Sequence, residues 1–66
     1  EVTPELTLTD QTARTRALLR VEGAGSPGLV LFDQTGKPRA TLYVVSEGSA
    51  TFQLSDKDER IFWRVP

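Results

Sequence analysis

The 66-residue chain contains neither histidine nor cysteine. Those two absences remove Ser-His-Asp and Cys-His nucleophiles, zinc sites, haem ligation and every disulfide together. No apolar run approaches the roughly eighteen residues of a spanning helix, so direct membrane insertion is not expected. An excess of one charge is missing as well. Eight Lys/Arg stand against nine Asp/Glu, the net charge is −1 and the two signs are interspersed. Neither a basic nucleic-acid surface nor an acidic solvating tail is therefore expected. Apolar residues are present in sufficient number: Leu, Ile, Val and Phe fill 18 of 66 positions, above the level of disordered chains. A domain this small ordinarily needs a disulfide, a metal or an oligomer as support. The first is impossible here and the second has poor ligands, which leaves oligomerisation.

The chain repeats itself at a fixed period. Rows starting at Leu6, Leu29 and Phe52 align without a gap. Leu8, Leu31 and Leu54 share a column, as do Asp10, Asp33 and Asp56, and Leu19, Leu42 and Val65. Arg16-Ala17 recurs as Arg39-Ala40, Val21 as Val44, and Gly25-Ser26 as Gly48-Ser49. This defines a single repeat domain over 1–66, with repeats at 6–28, 29–51 and 52–66.

Each row reads as two short strands. Leu6-Thr7-Leu8-Thr9, Leu29-Val30-Leu31-Phe32 and Phe52-Gln53-Leu54-Ser55 carry an apolar residue at every second place, the period of a half-buried strand. Ala17, Leu19 and Val21 then alternate with Arg16, Leu18 and Arg20, and the second row repeats the pattern at Ala40, Leu42 and Val44. No helical stripe occurs. Asp33-Gln34-Thr35-Gly36-Lys37 has hairpin chemistry, with Asp to cap a type I turn and Gly for a left-handed bulge residue. Ala13 and Glu59 fill the glycine column in the other rows and would carry strain of about 1 kcal/mol each if the turn is kept. The joints Glu22 to Gly28 and Ser46 to Thr51 read as surface loops. The expected fold is an all-β antiparallel meander of three hairpin repeats, with six strands near 5–9, 15–22, 28–33, 38–45, 51–55 and 60–65. A β-solenoid is the alternative. It would stack Asp10, Asp33 and Asp56 about one strand spacing apart, roughly 4.8 Å, where like charges repel.

On the meander, one side collects Leu6, Leu8, Ala17, Leu19, Val21, Leu29, Leu31, Ala40, Leu42, Val44, Phe52, Leu54, Trp63 and Val65. Nothing else in the chain can cover them. The sheet must curl into a small barrel, or copies must pack together. The opposite side is polar in the outer repeats but apolar in the middle one, at Val30, Phe32, Tyr43 and Val45. The first and last strands are open edges unless the sheet closes, and strand edges are templates for another chain. The candidate self-association residues are thus Leu6, Leu8, Val30, Phe32, Tyr43, Val45, Ile61, Trp63 and Val65. Arg14, Arg16, Arg60 and Arg64, set against Glu1, Glu5 and Asp10, are placed to fix register between copies.

Catalytic chemistry finds little footing. Asp10, Asp33 and Asp56 are explained by turn capping, and Arg16 and Arg39 by pairing with acids across strands. Asp56-Lys57-Asp58-Glu59 groups three acids, but without the spacing or glycine of a calcium loop. No enzyme activity, cofactor or metal is expected. Tyr43 and the Gly/Ser loops leave a carbohydrate- or protein-binding, adhesin-like module as the alternative to assembly.

The pattern L-x-L-x-D-x-x-G-x-x-R-A-x-L-x-V, intact from Leu29 to Val44, together with the closing Phe62-Trp63-Arg64-Val65-Pro66, resembles a group of uncharacterised bacterial β-hairpin repeat proteins. In those proteins the units follow an N-terminal membrane or signal segment. The resemblance implies an extracellular or cell-surface location and carries over no catalytic residue. A chain opening on Glu1 is compatible with a processed mature protein or an excised fragment. The function expected is that of a structural protein that self-associates through strand edges and apolar sheet faces, with an extracellular fibre as its extended form.

Overall fold

Apolar and polar residues at alternate places keep a backbone extended and make its two faces different. A computed structural model describes residues 4–21, 25–45 and 47–66, and among them it contains six strands and no helix. The strands are β1 (Glu5–Thr9), β2 (Thr15–Val21), β3 (Pro27–Phe32), β4 (Pro38–Val44), β5 (Ala50–Ser55) and β6 (Ile61–Val65). Each bound lies within one residue of its expected place. Four parts of the sequence reading lie outside the described residues: Glu1, the expected end of β2 at Glu22, Gly23-Ala24, and Ser46. The strands pair in chain order, β1-β2-β3-β4-β5-β6, as one antiparallel meander.

Two of the expected alternatives are overturned. β1 and β6 do not pair, so the sheet does not curl into a barrel. Successive repeats are antiparallel neighbours in one sheet rather than stacked coils, which excludes the solenoid. The meander keeps the three aspartates on separate hairpins.

The register converts the repeat period into straight rows. Leu6, Leu19, Leu29, Leu42, Phe52 and Val65 face one another in turn across all six strands. Leu8, Ala17, Leu31, Ala40, Leu54 and Trp63 form a second row beside them. Leu and Ala alternate along the middle of that second row, so a small residue sits beside each large one. Phe52 and Trp63 meet edge to face across β5 and β6, with centroids 5.4 Å apart and planes at 87°.

All three hairpins that join the halves of a repeat share one turn. In the first, Asp10 N donates to Arg14 O and Ala13 N donates to Asp10 O, both at 2.9 Å. The same pairs recur at Asp33 to Lys37 and at Asp56 to Arg60. The residue before the end of the turn is left-handed each time, with φ of 68° at Ala13, 90° at Gly36 and 66° at Glu59. A register shift follows in every case, the mark of a bulge. Side chains at Ala13 and Glu59 therefore occupy a conformation that favours glycine. The joint after β4 is tighter than the loop expected there. Val45 N donates to Ser49 O at 2.9 Å, Gly48 takes φ of 102°, and β5 begins at Ala50.

The molecule measures 35 × 32 × 12 Å, and the short dimension is that of a single sheet. Among the described residues no apolar side chain is buried, and the one buried residue is Thr51. Even Leu42, in the middle of the central row, is 43% exposed.

The turn geometry makes a prediction at one column. Gly36→Val should lower stability by about 1 kcal/mol or more, because Val resists a left-handed φ. Ala13→Gly and Glu59→Gly should each raise it by up to about 1 kcal/mol. Urea-unfolding midpoints check this, and three unchanged midpoints would contradict it.

Candidate functional site

The largest chemical feature is the face bearing the two apolar rows. Its side chains come from all six strands because the alternation is in phase in every repeat. Leu6 and Leu8 on β1 are each 56% exposed, and Trp63 and Val65 on β6 are similarly open. A shallow depression between Leu29, Leu31, Ala40, Leu42 and Phe52 marks the middle of this face. No charged residue occupies either row.

The opposite face carries a groove of about 460 Å³ across β2, β3 and β4. Val30, Tyr43 and Val45 line it, joined by Leu18, Arg20 and Gly28. Gly28 lies directly opposite Tyr43, where an added Cβ would sit 3.7 Å from that of the tyrosine, so the glycine opens the groove floor. Three of the four middle-repeat residues expected to form one patch thus line this groove. Phe32, two residues from Val30 on β3, borders an open depression with Arg14, Thr15, Thr35 and Gly36. Leu18, which sequence reasoning left out, belongs to the groove. The signal was there, since Leu18 is the one apolar residue among the outward positions of β2. Ile61, the remaining candidate, is exposed at the start of β6.

The turn end of the sheet is polar and ordered by hydrogen bonds. Asp10 Oδ1 accepts from Thr12 N at 2.9 Å, Thr12 Oγ1 at 2.6 Å and Arg14 N at 3.2 Å. Asp33 Oδ1 does the same with Thr35 N, Thr35 Oγ1 and Lys37 N. In the third hairpin Asp58 replaces the threonine, and Asp56 Oδ1 accepts only from the backbone of Asp58 and Arg60, both at 2.9 Å. The aspartates are thus turn caps. The three-acid group around Asp56 does not converge, for among the described residues no three metal-binding side chains gather.

Cations tie each repeat to the next. Arg16 Nε donates to Phe32 O at 3.1 Å, and Arg39 Nε donates to Ser55 O at 2.7 Å, one repeat further along in both members. Arg14 donates to Gln34 O, and Lys37 Nζ donates to Lys57 O at 3.0 Å, advanced by the same period. Arg16 and Arg39 also approach Asp10 and Asp33, at 3.5 Å each, as cross-strand partners. The backbone ties were not legible beforehand, because a carbonyl acceptor leaves no trace in residue type.

The Thr12 hydroxyl, then the Arg14 and Thr12 amides, hold the Asp10 carboxyl at about 2, below its usual 3.8. The Thr35 hydroxyl and the Lys37 amide do the same for Asp33, also to about 2. Arg16 and Arg39 are the smallest of these influences.

No protein-family model, curated protein or solved structure matches the chain.

The two lowered carboxyls set an acid limit. A depressed folded-state pKa contributes stability above the unfolded value of 3.8, which is lost as pH falls through 3.8 towards 2. The unfolding midpoint should drop across that window. Asp33→Asn should flatten part of the drop, while a variant with the same pH profile as the parent would contradict this account of the turns.

Proposed function

We propose that the chain is a structural protein whose activity is to associate with copies of itself, through its apolar sheet face and its strand edges. The observation that carries this reading is the absence of a buried apolar side chain among the described residues, beside two uninterrupted apolar rows on one face. Burying a Leu, Val or Phe side chain is worth about 1.5–3 kcal/mol. A sheet left as a single layer forfeits most of that.

A second copy supplies the missing layer. Sheets pack face to face about 10 Å apart, with side chains of the two inner faces interdigitating. Each face spans 35 × 32 Å, more than the roughly 800 Å² per partner of a standard interface. The rows carry no charge, so two like faces meet without repulsion or an unpaired buried ion. The resemblance to exported bacterial repeat proteins supports an extracellular or cell-surface setting, with a fibre as the extended form. Nothing in this role calls for catalysis, a cofactor or nucleic acid.

Sedimentation across a wide concentration range tests the reading. Species larger than the 7.3 kDa monomer are expected wherever the protein is folded. Leu42→Asp, which would set an unpaired charge in the middle of the interface, should abolish both folding and assembly. A folded monomer at every concentration would overturn the proposal. It would leave the groove beside Tyr43 as the basis for a carbohydrate- or protein-binding module.

A further inference from the structure

We infer that β6 of one copy adds to β1 of a second copy in one fixed register: Trp63 against Leu8, Arg64 against Thr7 and Val65 against Leu6 of the second copy. The inference rests on the self-association reading and specifies how its strand edges join.

Two joints of this kind already exist inside the sheet. β2, β4 and β6 occupy equivalent places in the three repeats, as do β1, β3 and β5. β2 pairs with β3 through Ala17–Leu31, Leu18–Val30 and Leu19–Leu29. β4 pairs with β5 through Ala40–Leu54, Thr41–Gln53 and Leu42–Phe52, each pair advanced by one repeat. Among the described residues β6 and β1 each pair with one strand, so the third joint of the series is not made within this sheet. Advancing the pattern by one more repeat puts β1 of a second copy against β6 in the register stated. Both apolar rows then run on unbroken, from Val65 to Leu6 and from Trp63 to Leu8 of the second copy.

The side-chain ties select the same register. At the two existing joints Arg14 and Lys37 reach the turn carbonyls of Gln34 and Lys57 on the next repeat. Arg60 holds the equivalent place in the third repeat, and the matching carbonyl on a second copy is that of Gln11. The Arg60 guanidinium makes no hydrogen bond or ion pair within the described residues. Phe62 stands in the column of Arg16 and Arg39, so the second tie is not reproduced. That ring is 65% exposed and lies opposite Thr9 of the second copy. A slip of one residue would throw each apolar row onto the wrong face. A slip of two would carry Arg60 away from its carbonyl. Repeated addition is head to tail, and the sheet lengthens by six strands, about 29 Å, per copy.

Cysteine pairing tests the register, because the chain has no thiol of its own. Val45 N donates to Ser49 O and Val45 O accepts from Gly48 N, a bulged hydrogen-bonded site, and alternation from there makes Thr41–Gln53, and hence Arg64–Thr7, hydrogen-bonded pairs. Their Cα atoms would lie about 5.5 Å apart, within reach of a disulfide. Both positions face away from the apolar rows, so face-to-face packing does not bring them together. Thr7→Cys and Arg64→Cys proteins, mixed and oxidised under assembling conditions, should give mixed dimers well above the half share of random pairing, as read by intact mass. Thr9→Cys with Arg64→Cys, two residues out of register, should not. Arg60→Ala should leave folding and face-to-face association intact and raise the concentration needed for head-to-tail growth several-fold. Assembly with random or offset pairing would overturn the register while sparing self-association. Failure of every variant and of the parent to assemble would overturn self-association itself.

Discussion

A single β-sheet has two faces, and a face lined with leucine must be covered. That constraint governs everything else about this chain. The repeat period sets Leu6, Leu19, Leu29, Leu42, Phe52 and Val65 in one row and a second row beside it, so the apolar surface is continuous. The same period fills the described residues with strands and turns, leaving no helix or second sheet among them to act as a lid. In most domains the core lies between layers of one chain. Among the described residues one layer is present, 12 Å thick, and the proposed self-association supplies a second.

What holds the layer together meanwhile is local. Each hairpin closes on an aspartate whose carboxylate gathers its own turn, and each turn reaches the next through a cation on a backbone carbonyl. These interactions lie on a partly wet surface, so they specify geometry more than they stabilise it. Their value is in register. Arg16 and Arg39 fix how far one hairpin is displaced from the next, and so keep the apolar rows straight. Strain at Ala13 and Glu59 is tolerated because the two turn hydrogen bonds determine the backbone there whatever the residue.

Much of this was legible in the residues. Alternation and the ungapped repeat led to six antiparallel strands in chain order, and Asp33 with Gly36 led to the bulged turn. The left-handed backbone at Ala13 and Glu59 followed from column equivalence alone, since neither residue suggests it. Other features were not legible. Whether the sheet closes depends on twist and curl summed over six strands, and no single residue records that. The bulge after Leu31, which shifts the register at Phe32, depends on the turn geometry and not on any one residue type. The ties to Gln34 and Lys57 use main-chain oxygens, which every residue has.

The central claim is that the fold depends on another copy for its covering layer. The unfolding midpoint in urea, read from the emission of the one tryptophan, Trp63, over a hundred-fold range of protein concentration, tests it most directly. Stability that depends on association must rise with concentration by mass action. The account predicts a midpoint that climbs steadily across the range. A midpoint that stays constant, in a protein that is folded throughout, would contradict it.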